Sequence, residues 1–125
     1  MSIFDRLLGK AGKIDNSKIE ASIKELLVPN EFLEISFKLV RDIVVFTNKR
    51  LIIIDAQGSG VKKTIQFIPY RSISRYQITT AGLVDTDTEL ELFIADAVNP
   101  VLKLDLGPQK QNLALISQTL AKALF

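Results

Sequence analysis

The chain of 125 residues contains neither cysteine nor histidine, and these two absences exclude several kinds of chemistry. Without cysteine there is no disulfide and no thiolate nucleophile, and without either residue the usual ligands of a structural zinc site are missing. A Ser-His-Asp triad is excluded as well, because its general base is an imidazole. We therefore expect a protein that is not an enzyme, holds no metal and uses no cofactor.

A strong excess of one charge is also absent, since 16 lysines and arginines are balanced by 14 aspartates and glutamates, which leaves a net charge of +2. Nucleic-acid partners are not expected, because they require a strongly basic surface. The first residues contain neither the basic leader nor the long apolar run of a secretory signal. Together with the missing cysteines, this predicts a cytoplasmic protein.

Apolar residues spaced by three and four predict two short helices within residues 1–30, an N-terminal helical extension. Their apolar positions are Ile3, Phe4, Leu7, Leu8 and Ala11 in the first helix, and Ile19, Ile23, Leu26 and Leu27 in the second. Ser17 and Glu20 have the spacing of a capping box at the start of the second helix, and Pro29 ends it.

The first of these helices is too short to persist alone in water, so its apolar face needs a partner. Binding to a membrane surface is one possibility, but Arg6 and Lys10 are its only cations, and membrane-surface helices usually have more. We therefore expect the N-terminal extension to pack on the remaining domain or on a neighbouring subunit.

Alternation of apolar and polar residues from Glu31 onward predicts seven short strands. We place them at residues 31–40, 43–47, 50–55, 63–68, 72–80, 89–94 and 101–106. A helix over residues 108–125 follows, with Pro108 in its first turn. Residues 31–125 are thus predicted to be mainly β, an antiparallel seven-stranded barrel or sandwich capped by the C-terminal helix. A lipocalin-like barrel or an α+β sandwich would use the same elements.

Five motifs are distributed over nearly the whole chain. They are Phe37-Lys38-Leu39-Val40-Arg41-Asp42, Phe46-Thr47-Asn48-Lys49-Arg50-Leu51-Ile52, Ile68-Pro69-Tyr70-Arg71-Ser72-Ile73, Thr80-Ala81-Gly82 and Asp85-x-Asp87-x-Glu89-Leu90. In combination they resemble the bacterial pleckstrin-homology (PH) domain family. The resemblance implies a PH-like barrel, a cytoplasmic binding or scaffolding role and assembly into ring-shaped homo-oligomers.

The first group of candidate binding residues lies in a predicted hairpin turn. Lys49 and Arg50 follow Thr47 and Asn48 between two apolar strands, and Asn48 suits such a turn because asparagine tolerates the left-handed conformation and bonds its own backbone. The two cations are candidates for binding an anion. The alternative is a solvated turn beside a charge at the strand edge.

A second candidate group surrounds two arginines. Arg71 and Arg75 would lie on one face of a regular strand, flanked by Tyr70 and Tyr76, whose rings can stack or hydrogen-bond. One hypothesis is a docking surface for a phosphate, a carboxylate or a protein partner. The other is salt bridging to acidic residues on a neighbouring strand.

Two further pairs complete the candidates. Lys62 and Lys63 lie on a separate hairpin and are too few for polybasic attachment to a membrane. Asp85 and Asp87 begin like a calcium loop, yet Leu90 occupies the position that requires glycine. These carboxylates are alternatively expected to pair with cations of a neighbouring subunit.

The apolar surplus favours self-assembly, because residues 51–54 are apolar on both faces of their strand and one face needs cover. The mean hydropathy of +0.22 agrees with this. Our first hypothesis is a non-enzymatic homo-oligomer, in the form of a ring, that binds protein partners. The alternative is a peripheral binder of membranes or anionic lipids that uses the N-terminal helix with Lys49, Lys62 and Lys63.

Overall fold

The computed structural model describes residues 12–55, 64–80, 88–95, 102–105 and 110–125. The chain divides into two compact units, Met1–Ile68 and Pro69–Phe125. Across the ranges that are described, no helix has both the length and the apolar composition that crossing a membrane requires.

The first unit contains an antiparallel sheet of five strands that are neighbours in chain order. A helix and a short 3-10 turn lie between its first two strands. The elements are β1 (Gly12–Ile14), α1 (Asn16–Ile23), the 3-10 turn Lys24–Leu26, β2 (Leu33–Lys38), β3 (Asp42–Thr47), β4 (Arg50–Asp55) and β5 (Ile65–Pro69).

Helix α1 covers one face of this sheet. Its buried residues Ile19 and Ile23 form a cluster with inward residues of β3 and β4, namely Ile43, Val45, Ile52 and Ile54. The register explains the grouping, because Ile43 lies opposite Ile54 and Val45 lies opposite Ile52. The sequence predicts that one face of the apolar strand 50–55 must be covered. Helix α1, which is the second of the two predicted helices, covers one face of that strand.

Polar side chains fix the start of α1. The Asp15 carboxylate caps the helix by accepting from the Ser17 N–H at 3.0 Å. Asn16 donates to the backbone oxygen of Glu34 at 3.1 Å and accepts from the Ser36 hydroxyl at 2.8 Å, which ties the helix to β2. The predicted Ser17–Glu20 capping box is wrong, because Ser17 already lies inside the helix and Asp15 performs the capping.

The lysine that ends β2 is buried. Lys38, the last residue of β2, donates from Nζ to the backbone oxygens of Leu39 and Val40. Removal from water lowers the pKa of Lys38, and the charge of Asp42 opposes part of that shift. The carbonyls of the turn between β2 and β3 therefore replace water around this ammonium group.

The second unit is a three-stranded antiparallel sheet with a helix. Its elements are the 3-10 turn Tyr70–Ser72, β6 (Ile73–Thr80), β7 (Thr88–Ile94), β8 (Leu102–Asp105) and α2 (Lys110–Leu124). Ile116 and Leu120 of α2 are buried. The Tyr76 hydroxyl on β6 donates to the backbone oxygen of Ser117 at 3.1 Å, so strand and helix are joined by a polar contact as well.

The predicted class, mainly β with a C-terminal helix, is confirmed, but the element count differs. Where seven strands are predicted, the described residues form eight in two sheets. The additional strand is β1, which lies between the two helices predicted within residues 1–30 and pairs with β2 through Gly12↔Lys38 and Ile14↔Ser36. One helix, α1, precedes β2 within the described residues, whereas the predicted first helix, residues 3–11, lies outside them.

Candidate functional site

The most organised polar cluster of the first unit lies where β3 ends and β4 begins. The Thr47 hydroxyl accepts from the backbone N–H groups of Lys49 at 3.1 Å and Arg50 at 2.9 Å. It donates to Oε2 of Glu31 at 2.7 Å. One buried threonine therefore closes the turn and connects it to the segment before β2.

Asn48 joins the same turn to that segment by three hydrogen bonds. Its N–H donates to the Phe32 backbone oxygen at 3.1 Å, and its Oδ1 accepts from the Phe32 N–H at 2.8 Å. Its Nδ2 donates to the Asn30 backbone oxygen at 2.9 Å. Asn30 has a positive φ of 67°, whereas Asn48 does not use the left-handed conformation that asparagine tolerates.

Glu31 and Arg50 form a bidentate ion pair beneath this turn. Nε of Arg50 lies 2.9 Å from Oε2 of Glu31, and Nη2 lies 3.0 Å from Oε1. The Val28 N–H at 3.0 Å and the Thr47 hydroxyl add two donors, so the buried carboxylate accepts four hydrogen bonds. Burial alone would raise the pKa of Glu31, but the bonds from Arg50, Val28 and Thr47 outweigh it and hold that pKa below its usual range.

Arg50 also contacts two apolar residues, Phe67 and Leu26. Its guanidinium lies over the Phe67 ring, 4.6 Å from the centroid, and Nη2 donates to the Leu26 backbone oxygen at 2.9 Å. Four large apolar residues are linked to this cluster, Leu26, Val28 and Phe32 by their backbones and Phe67 by its ring, and their side chains remain exposed. Their exposed fractions are 47% for Leu26, 44% for Val28, 55% for Phe32 and 38% for Phe67. We call Arg50 and these four residues the Arg50 patch.

The ion pair bears on the two roles predicted for the hairpin cations Lys49 and Arg50. The charge of Arg50 is compensated by Glu31, and its guanidinium serves as a fixed support between apolar groups, not as a free anion ligand. Lys49 is exposed at the tip of the turn. The arrangement therefore suits an apolar partner with a polar edge better than a phosphate.

The predicted pair of arginines is not brought together on one strand face. Arg71 lies in the 3-10 turn Tyr70–Ser72, and the register of β6 shifts between Ile73 and Arg75. Arg75 is exposed and places its guanidinium 3.9 Å from the centroid of Phe93 on β7. The geometric basis predicted for a docking surface at these arginines is therefore wrong.

The two tyrosines of that group are partly buried. The Tyr76 hydroxyl donates its hydrogen bond to the backbone of Ser117 in α2. This side chain therefore stabilises the packing of the second unit. Tyr70 begins the 3-10 turn that precedes β6 and also takes part in an interaction.

Four predicted candidates, Lys62, Lys63, Asp85 and Asp87, lie outside the described residues. Conversely, the prediction missed Glu31 and the exposed aromatic residues Phe32 and Phe67. A signal for part of this set was present, because Val28 and Phe32 flank the turn formers Pro29 and Asn30, where polar residues are more usual.

Comparison with known proteins agrees with this architecture. The sequence model of the bacterial PH domain matches residues 2–124. The uncharacterized protein YjqA of Bacillus subtilis (strain 168) is 45% identical over 103 residues, which are 82% of each chain.

Two crystal structures resemble this chain, both with a TM-score of 0.75. A DUF1696 family protein with a pleckstrin-homology domain from Shewanella loihica is 33% identical, and the match covers 93% of this chain and 98% of that one. A pleckstrin-homology domain from Shewanella amazonensis is 39% identical, with 88% and 98% covered. The fold is therefore PH-like, and the chain belongs to the bacterial PH domain family.

Proposed function

We propose that this chain is a non-enzymatic binding and scaffolding module that self-assembles into a homo-oligomer, in the form of a ring, and binds protein partners. Membership of the bacterial PH domain family supports the non-enzymatic part, because PH domains are generally binding modules without catalytic activity. The absence of histidine and cysteine agrees with this assignment.

The observation that supports an interface most directly is the Arg50 patch. Large apolar groups that remain exposed together mark interaction surfaces more often than isolated ones do. Arginine and phenylalanine are enriched at protein interfaces, where their side chains fill central contacts.

The patch is also fixed before any partner arrives. Arg50 is held by Glu31, by the Leu26 carbonyl and by the Phe67 ring, so its side chain has little freedom left to lose on binding. Asn48 fixes the backbone of Phe32 in the same way. Because ordering of side chains is a major cost of association, this arrangement favours binding.

The mass of the protein in solution tests the self-assembly. We would measure light scattering on a size-exclusion column at several micromolar concentrations of the full chain. The proposal expects a discrete mass that is several times 13.9 kDa. A mass of one chain at every concentration would overturn the homo-oligomer.

Peripheral binding to an anionic membrane is a second candidate function. It is favoured by the exposed Lys49, which follows Asn48 and thus lies beside the exposed Phe32. Co-sedimentation with vesicles of phosphatidylcholine and phosphatidylserine at low salt tests it, with Lys49→Glu as the variant. Pelleting that is lost at high salt and in Lys49→Glu supports the membrane, whereas failure of the wild-type chain to pellet rejects it.

A further inference from the structure

We propose that β5 pairs edge to edge with β5 of a second copy of this chain, as antiparallel strands related by a two-fold axis. In this pairing Ile65 lies opposite the partner's Phe67, and Gln66 lies opposite the partner's Gln66. The proposal rests on the self-assembly proposed above and names the surface through which two copies meet. The five-stranded sheets of the two copies then form one continuous sheet.

Strand β5 is at the edge of its sheet. In the sheets that the described residues form, its neighbour on one side is β4, and no strand lies on the other side. Phe67 of this strand is 38% exposed, and Ile65 and Gln66 are partly exposed. An edge of this kind offers unpaired backbone N–H and C=O groups to another chain.

A hydrogen bond to β4 identifies which backbone groups face outward. The Asp55 N–H donates to the Thr64 backbone oxygen at 2.9 Å, so the backbone of Thr64 faces β4. The N–H and C=O of one residue point to the same side of a strand, and that side alternates along the chain. The backbones of Ile65, Phe67 and Pro69 therefore face away from β4. Because proline has no N–H to donate, Pro69 at an outward position is typical of an edge strand.

The absence of charge distinguishes β5 from the other edge strands of the described sheets. Those strands are β1, β6 and β8. They contain Lys13 in β1, Arg75 in β6, and Lys103 with Asp105 in β8. Strand β5 has the sequence IQFIP and contains no charged residue. Charged side chains on an edge strand usually protect it from pairing with another chain, and β5 lacks this protection.

Pro69 also selects the register of the pairing. With Ile65 opposite the partner's Phe67, the outward N–H and C=O groups of both residues all find partners in the other copy. With Phe67 opposite the partner's Phe67 instead, Pro69 would lie opposite the partner's Ile65 without an N–H to donate. The Pro69 oxygen, moreover, already accepts from the Ser72 hydroxyl at 2.8 Å. The first register therefore satisfies more of the outward groups.

The side chains also match in this register. Ile65 packs against the apolar cluster beneath α1, and Phe67, two residues on, lies on the same face under the guanidinium of Arg50. An aromatic ring opposite a β-branched side chain is a favourable pair across two strands. On the other face the two Gln66 amides lie opposite each other, and each has donors and an acceptor for the other. Because Phe67 belongs to the Arg50 patch, the contact continues onto that patch.

The symmetry of this contact limits the assemblies that contain it. Both copies use the same surface, which makes the contact isologous, and alone it forms a dimer. A larger ring needs a different contact to join the pairs. Such a ring therefore has an even number of chains.

An engineered cysteine tests the register, because the natural chain has none. In the full chain, Gln66→Cys places two cysteines opposite each other at a pair without backbone hydrogen bonds, where Cα atoms are about 4.5 Å apart. That distance permits a disulfide. After mild oxidation, a denaturing gel without reductant should show most chains linked in pairs. Chains that remain single would overturn the proposal.

A second cysteine variant excludes random collision. Leu115→Cys, at an exposed position of α2, should give little linked product under the same conditions. Equal yields from Leu115→Cys and Gln66→Cys would overturn the proposal, because the register predicts a close approach at Gln66.

A matched pair of variants tests the backbone pairing by light scattering. Phe67→Pro and Phe67→Val both remove the ring, but only proline removes the N–H, which faces away from β4. The proposal expects a smaller mass than wild type for Phe67→Pro and the wild-type mass for Phe67→Val. An equal loss of mass in both variants would assign the effect to the ring and would overturn pairing through the backbone.

The same measurement separates this proposal from the one on which it rests. A wild-type oligomer that keeps its mass in Phe67→Pro would overturn the β5 contact but not self-assembly. A wild-type monomer would overturn both. If Phe67→Pro does not fold, as judged by circular dichroism, the disulfide yield of Gln66→Cys decides the question.

Discussion

At the scale of single residues, Glu31 shows how a charge is kept inside this protein. Four donors surround its carboxylate, two of them from one guanidinium, so both the charge and its hydrogen-bonding capacity are satisfied. Breaking such a buried pair from one side is costly because the remaining partner stays without its counter-charge. Glu31 is therefore the residue through which the Arg50 patch depends on pH.

We predict that Glu31→Gln lowers the free energy of unfolding by about 2 kcal/mol at pH 7, the size expected for hydrogen bonds to a charged group. The folded-state pKa of Glu31 is depressed, so its contribution is complete above the unfolded pKa of about 4.3 and is lost as pH falls through the folded pKa.

Urea unfolding of wild type and Glu31→Gln from pH 7 to pH 3 measures both effects. The difference between the two proteins should shrink as the pH falls. Glu34→Gln, which changes an exposed carboxylate of β2, is the matched control and should stay within about 0.5 kcal/mol of wild type. A difference that is constant over this pH range would contradict the assigned ion pair.

Lys38 is the opposite case, since burial disfavours its charged form. Its folded-state pKa lies below the unfolded value, so the unfolded chain binds more protons between these two pKa values. We predict that the stability of wild type relative to Lys38→Met rises as pH increases through that window, towards about 10.4.

Urea unfolding of both proteins between pH 8 and pH 10.5 checks this prediction, because other lysines and tyrosines titrate equally in the two chains. Lys18→Met changes an exposed lysine of α1 and should show no such trend against wild type. A relative stability of wild type that falls with pH would mean that the ammonium of Lys38 is stabilised by its surroundings.

At the scale of elements, the predictions were most successful where periodicity and turn residues agree. The strand predicted at 50–55 is β4, and the helix predicted at 108–125 is α2 with slightly narrower bounds. The prediction failed at β1, which has three residues and includes Gly12. So short a strand has no period of its own, and pairing with β2 decides its conformation.

Local sequence patterns likewise predict only part of the cluster around Arg50. The turn at residues 47–50 could be predicted from its composition, but the partner of Arg50 lies 19 residues earlier in the sequence. Neither composition nor local spacing identifies Glu31 as that partner. Likewise, Arg71 lies in the 3-10 turn Tyr70–Ser72 just before β6, so its position relative to Arg75 could not be predicted from alternation.

Docking of α2 on β6 gives a prediction at this scale. Tyr76→Phe removes the hydrogen bond from the tyrosine hydroxyl to the Ser117 backbone oxygen and should cost about 1 kcal/mol of unfolding free energy. Ser117→Ala leaves that backbone acceptor in place and is the matched control, with a smaller effect.

Hydrogen exchange locates the effect of Tyr76→Phe. Amides of α2 should exchange faster in this variant, whereas those of α1 should not change, because the hydrogen bond that is lost holds α2. Equal acceleration in both helices would instead indicate a general loss of stability.

At the scale of the whole molecule, the missing histidine determines how the protein responds to mild changes of pH. Histidine is the side chain whose ordinary pKa, about 6.5, lies in the physiological range. The shifted carboxyl groups Asp15, Glu31 and Glu91 all have their pKa lowered, which moves them further from neutrality. Their contribution to stability is therefore already complete at pH 6.

We predict that the melting temperature and the mass in solution stay constant between pH 6 and pH 8 at fixed ionic strength. Differential scanning calorimetry and light scattering at pH 6, 7 and 8 measure the two quantities. Salt is expected to affect assembly more than pH does, since screening weakens contacts between opposite charges at an interface. A sigmoidal transition near pH 7 in either quantity would contradict this, because among the side chains it requires a carboxyl or lysine amino group shifted far from its ordinary pKa.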